Sequence, residues 1–97
     1  MTLHTVNLLP DHPDCQRCIS QLASGDAVVF LGHGAWITSG QTGWHEEWAR
    51  AGIALYVLED DLVARGLAEH CARSIMPIDV TGFIALTEQH SCQQAWF

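Results

Sequence analysis

Short apolar runs, broken by glycine, proline and acidic residues, set the rhythm of this chain. Leu3 to Leu9 is apolar and partly β-branched, and Pro10-Asp11-His12-Pro13 breaks it, which predicts a first strand. Asp14 is the expected N-cap of a helix running to about Ser24, with Cys18, Leu22 and either Ile19 or Cys15 on one face. Gly25-Asp26 ends that helix. Ala27 to Leu31 is a continuous apolar run, the pattern of a strand covered on both faces. Gly32-His33-Gly34 reads as a tight turn at its end. Residues 35–43 fit no single period, and Gly40 and Gly43 favour a loop there. Trp44 to Arg50 can form a short helix.

The second half of the chain is clearer. Ile53 to Leu58 is rich in β-formers and stops at three carboxylates, Glu59-Asp60-Asp61, before a short helical phrase that ends at Arg65-Gly66. Carboxylates suit a helix N-terminus, and arginine followed by glycine suits its end. Glu69 to Arg73 is assigned as helix. Ile75 to Asp79, interrupted by Pro77, is a fourth strand; Thr81 to His90 is a helix with Phe83, Ile84 and Leu86 or Thr87 inward; Cys92 to Trp96 is a fifth strand. Strands alternating with helices imply an α/β domain with a mainly parallel sheet. In such sheets function gathers at the carboxyl ends of the strands, here Asn7 to Pro13, Gly32 to Ala35 and Glu59 to Asp61.

Ninety-seven residues make one domain, 1–97, with a limited core that partner subunits would supplement. A hydrophobic fraction of 48% and four tryptophans point the same way, although tryptophans also fill cores. The formal charge is −7, with four arginines and no lysine. A chain of this charge cannot build the cationic surface that grips nucleic acid, so no direct nucleic-acid binding is expected. No segment has the length and apolarity of a membrane span, and no export signal is visible, so a cytoplasmic location without membrane contact is expected. The four cysteines are then reduced thiols.

Cys15-Gln16-Arg17-Cys18 is the one short chemical motif. It follows the first strand near a helix N-terminus, where backbone N–H groups and the dipole favour a thiolate, and Arg17 adds a cation. Three chemistries compete: a reactive thiolate of the kind persulfide chemistry needs, a thioredoxin-like redox pair, and a metal site. Beside them stands the plain reading of a half-buried helix cysteine facing the core. No second Cys-x-x-Cys or His pair completes a zinc site, so no metal is expected, and Cys71 and Cys92 are isolated. His33 lies at a strand end between two glycines, and His4 lies on the first strand; each is more often structural than catalytic. Glu59-Asp60-Asp61 is explained by helix capping. No phosphate-cradling loop or nucleophile elbow is present, and no cofactor is expected.

Leu3-His4-Thr5-Val6-Asn7, the stretch Tyr56 to Leu67, Asp79 to His90 and the terminal Gln94-Ala95-Trp96-Phe97 together resemble the TusB/DsrH family, the small subunits of sulfur-relay complexes. Residues 32–52 add little to the resemblance. It implies a small flavodoxin-like, DsrE-type three-layer domain with a mainly parallel sheet of about five strands. It implies partners of TusC/DsrF and TusD/DsrE type in a dimer of heterotrimers that passes persulfide sulfur between carriers. The sulfur serves 2-thiolation of the tRNA wobble uridine in the Tus branch and dissimilatory sulfur metabolism in the Dsr branch. The principal carrier is a cysteine of the TusD/DsrE-type partner, which leaves this subunit structural with Cys18 as an accessory site. Cys18 falls on the first-helix cysteine of DsrH-type members, which TusB-type members lack; Cys15 lies outside the family pattern. The alternatives are a stand-alone thiol oxidoreductase using Cys15 and Cys18, and a purely structural subunit with inert cysteines.

Overall fold

Among the described residues five strands form one sheet, and every pairing in it is parallel. The computed structural model describes residues 2–9, 12–38 and 48–96. In chain order the elements are β1 (Thr2–Val6), α1 (Pro13–Gln21), β2 (Ala27–Phe30), a 3-10 helix (Gly32–Thr38), β3 (Ala54–Leu58), α2 (Glu59–Ala64), β4 (Ile75–Ile78), α3 (Val80–Gln89) and β5 (Cys92–Trp96). The strand order is β4-β3-β2-β1-β5. The chain therefore steps outward from β1 to β4, then crosses back to lay β5 on the other side of β1. The expected α/β domain with a parallel sheet of about five strands is what the fold contains.

The side chains sort into two layers by the period of two along each strand. On one face Val6, Val28, Phe30, Leu55, Val57 and Ile75 pack with residues of α1, the 3-10 helix and α2. Trp48, on a helical turn at 48–50, stacks on Phe30 with ring centroids 5.8 Å apart. On the other face Leu3, Ala27 and Val29 are covered by Leu86 of α3, with Phe83 at the margin. One face thus has several helical elements over it, and the other has α3. β2 sits between them with all four residues buried, as its unbroken apolar run predicts.

Local signals explain most element ends. Pro13 opens α1, where its missing N–H costs nothing. The cap is His12 rather than Asp14: the Asp14 N–H donates to His12 Nδ1 at 3.0 Å, and Asp14 lies inside the first turn. Asp79 caps α3 by accepting from the Gly82 N–H at 2.8 Å. α2 has no side-chain cap, and its three first-turn carboxylates meet the positive end of the helix instead.

Three further sequence expectations fail. Residues 69–73 form turns and a bridge at Cys71 rather than a helix; the Ala72 N–H donates to the Thr38 carbonyl, which takes that backbone out of any helical ladder. The turn at Gly32 to Gly34 continues as a 3-10 helix through Thr38. Ile84 points outward, because α3 covers the sheet through Leu86 and Phe83. The expected helix from Trp44 is seen only at 48–50; residues 44–47, like Pro10 and Asp11, lie outside the described residues.

A buried polar network joins the sheet's parts. The Asp26 carboxylate accepts from the Thr2 N–H at 2.9 Å, the Ala23 N–H at 3.1 Å and His4 Nε2 at 3.1 Å. Trp96 Nε1 donates to His4 Nδ1 at 3.2 Å, so the ring's proton sits on Nε2, facing Asp26. Burial acts to raise the Asp26 carboxyl, but these hydrogen bonds outweigh it and hold it below its ordinary value.

A carboxyl held low in the folded state stabilises it fully above the unfolded value, about pH 3.9, and that contribution is lost as pH falls through the lower folded value. Asp26→Asn is therefore expected to destabilise the fold by about 3 kcal/mol near neutral pH. It should also flatten the fall of stability below about pH 4. Denaturant titrations of both proteins at a series of pH values check this; a variant with wild-type stability would refute it.

Candidate functional site

Strand order reverses at β1, and the segments that follow β1, β2 and β3 meet there. The Asn7 side-chain oxygen accepts from the His33 N–H at 2.8 Å, and Asp61 Oδ2 accepts from the Gly32 N–H at 2.8 Å. Arg65 Nη1 reaches Asp61 Oδ1 at 3.4 Å, one helical turn along α2. Gly32 has φ +55, and a Cβ there would fall on the Asn7 side chain; a Cβ on Gly34 would fall on the Val6 carbonyl oxygen. The glycines are thus required for close backbone approach as well as for turning. The three strand ends named from the sequence do converge, but they bond to one another. His33 is exposed, and its contribution here is a backbone N–H rather than the ring.

α1 lays Cys15 and Cys18, three residues apart, on its inner face against the sheet. Both are buried, at 3% and 4% exposure. The Cys15 thiol donates to the Leu9 carbonyl at 3.1 Å, which ties the helix to the segment leaving β1. Arg17 turns away and pairs with Asp14 on the exposed side. Burial, with a further contribution from Cys15, pushes the Cys18 thiol up to about 12. A helix N-terminus favours a thiolate, but desolvation at this depth acts the other way and is the larger effect. Cys71 is partly buried, and burial raises it as well, while Cys92 is exposed at the start of β5. Among the described residues no three His, Cys, Asp or Glu side chains gather to hold a metal.

The feature least visible beforehand is an apolar surface. Met76, Val80 and Ile84 are 61%, 55% and 51% exposed on the α3 side of the molecule. Tyr56, Leu58 and Ile78 lie partly open on the same side of the sheet. Val80 and Ile84 are four residues apart and share one face of α3, turned from the face of Phe83 and Leu86. The periodicity of α3 contains this split, but it can be read only once the helix is known to cover one end of its sheet face. No described helix is long and apolar enough to cross a membrane.

A family model described as DsrH like protein matches residues 10–93. A protein named TusB from Escherichia coli strain SMS-3-5 is 38% identical over 96 residues, covering 97% of this chain and 99% of its own. The TusB of Shigella boydii serotype 18 is 36% identical over 94 residues with the same coverage. The solution NMR structure of Tm0979 from Thermotoga maritima superposes with a TM-score of 0.68 at 25% identity, covering 92% of this chain and 93% of that one.

The burial pattern sets the order of thiol reactivity. Under native conditions Cys92 should alkylate at the rate of a free thiol and Cys71 more slowly. Cys15 and Cys18 should react at least roughly a hundredfold more slowly, through opening of the fold. Peptide mass spectrometry after timed alkylation reads all four; Cys18 keeping pace with Cys92 would contradict the buried arrangement.

Proposed function

This chain belongs to the family of DsrH-like proteins, and from that premise we propose that it is the interaction subunit of a persulfide-relay complex. A sulfur-relay subunit role follows from the family; what this reading adds is the division of labour. Its carrying observation is the contrast between a reactive motif that is buried and an apolar face that is open. A carrier thiol must reach its donor as a thiolate, whereas Cys18 is desolvated and held protonated far above neutral pH. Contiguous exposed apolar side chains mark a surface that another protein covers.

The partners in this reading are the TusC/DsrF-type and TusD/DsrE-type subunits of a dimer of heterotrimers, with the principal persulfide on the TusD/DsrE-type chain. The relatives that cover almost the whole chain carry the name TusB, which favours the Tus branch and sulfur delivery to the tRNA wobble uridine. The charge of −7 assigns the RNA contact to another component. Cytoplasmic placement fits cysteines kept as thiols. A stand-alone oxidoreductase is disfavoured by the same burial, since its attacking thiol would have to ionise. Cys18 keeps one route to a relay role: partner binding that opens the Leu9–Cys15 contact and brings the first two turns of α1 to the surface, with Cys15 as the resolving thiol.

Two measurements test the reading. Co-expressed with both partner types, the wild type should elute as one larger complex. Ile84→Asp should weaken that assembly by about 2 kcal/mol or more, roughly thirtyfold, with little change in its own stability. Unchanged assembly by Ile84→Asp and Met76→Glu together would remove this face from the interface. In the assembled complex a persulfide donor should add about 32 Da to the TusD/DsrE-type chain. The same adduct on this chain, abolished by Cys18→Ser, would promote Cys18 from core residue to carrier.

A further inference from the structure

The two edges of the sheet are built differently. At one edge β4 contains Pro77, which has no N–H, and the Ile75 N–H is already bonded to the Ala72 carbonyl at 3.1 Å. That edge offers little to an incoming strand, and proline is a usual way to blunt one. At the other edge β5 reads Cys-Gln-Gln-Ala-Trp, with no proline and no charge. Its first four residues are exposed, and only Trp96 is anchored inside. Among the described residues β5 pairs with β1 alone. The Asn7 N–H donates to the Trp96 carbonyl at 2.8 Å, so the backbone groups of Trp96 face β1. Strand geometry alternates, and therefore Gln94 and Cys92 also face β1, while Gln93 and Ala95 direct their N–H and C=O groups outward.

We infer that the β5 edge pairs antiparallel with β5 of a second copy of this chain, joining two five-stranded sheets into one. The choice of a second copy rests on two properties of the strand. The first is self-complementarity: a two-fold axis beside Gln94 lets Gln93 and Ala95 of one copy exchange both hydrogen bonds with Ala95 and Gln93 of the other. The second is charge. Two chains of −7 each repel over most of their surface, but residues 91–96 carry no carboxylate or arginine. The seam is a place where two copies meet without bringing like charges together. The inference stands apart from the proposed partner-binding face, which lies on α3 and the adjoining strands.

The seam is short, so the dimer is weak, with half-association at about 10–100 µM by the low end of interface sizes. Light scattering from about 1 to 300 µM should follow that transition. Ala95→Pro removes an outward N–H and leaves the ladder to β1 intact, so it should shift dimerisation at least tenfold to higher concentration without lowering Tm. Ile84→Asp, on the α3 face, should leave dimerisation unchanged. Hydrogen exchange gives an independent reading: the Gln93 and Ala95 amides should gain protection with concentration while the Gln94 amide is protected throughout. A wild type that stays monomeric over this range, as it would if the edge took a strand of an unlike subunit, overturns the inference. So does a dimer that survives Ala95→Pro, or one that Ile84→Asp abolishes.

Discussion

One buried carboxylate organises the base of this sheet. Asp26 takes donors from the start of β1, the residues after α1 and the His4 ring, and the far side of that ring holds Trp96. Three segments distant in sequence are thereby fixed to one point. A buried ionised group costs much desolvation unless it is bonded on all sides, and three donors to two oxygens meet that demand. The network also specifies which strand lies beside β1. Apolar packing alone would accept many arrangements of short strands, whereas the indole N–H of Trp96 finds its acceptor in one register. The hydrophobic layers supply the bulk of the stability, and the polar contact selects among packings.

The same logic runs through the strand ends. Asn7, Gly32, His33 and Asp61 satisfy one another's polar groups at the reversal of strand order, the place where many α/β proteins leave room for a ligand. Here these groups bond directly to one another, and the glycines permit the close approach. The cysteines behind α1 are withdrawn from solvent as well. Outward among the described residues are a face of α3 and an edge strand, both of which suit association. That distribution agrees with a family whose members work as parts of a relay.

Much of the architecture was legible in the sequence. The unbroken run at Ala27 to Phe30, the carboxylate triplet after β3 and the alternation of strand and helix all reflect local rules that the fold obeys. The misses have two causes: a neighbouring residue displaces the expected one, or a distant contact outranks a local signal. His12 caps α1 with its ring because Asp14 is drawn into the first turn behind Pro13. Residues 69–73 give up helix for a backbone bond to Thr38. The Cys15-x-x-Cys18 spacing left a reactive thiol and a core-facing cysteine both open, and the depth of α1 against the sheet shows both side chains buried, with burial pushing the Cys18 thiol up. Asp26 read only as the end of the first helix; its role exists only when His4 and Trp96 are beside it. Burial is a property of the assembled layers, and no window of ten residues contains it.

The bond between Trp96 and His4 joins residues 92 apart in the chain. It belongs to the β1–β5 pairing, which is the most non-local contact in the sheet. β1 can find β2 early, since the two are linked through one short helix, but its other edge stays open until almost the whole chain has been made and gathered. Loop closure over such a span is entropically slow, and parallel pairing gives no local hairpin to start from. The folding barrier is accordingly expected to lie at the docking of β5. During that interval β1 presents an unpaired, partly apolar edge to its surroundings, and in a crowded cell that is the moment at which this chain is most exposed to aggregation or capture by a chaperone.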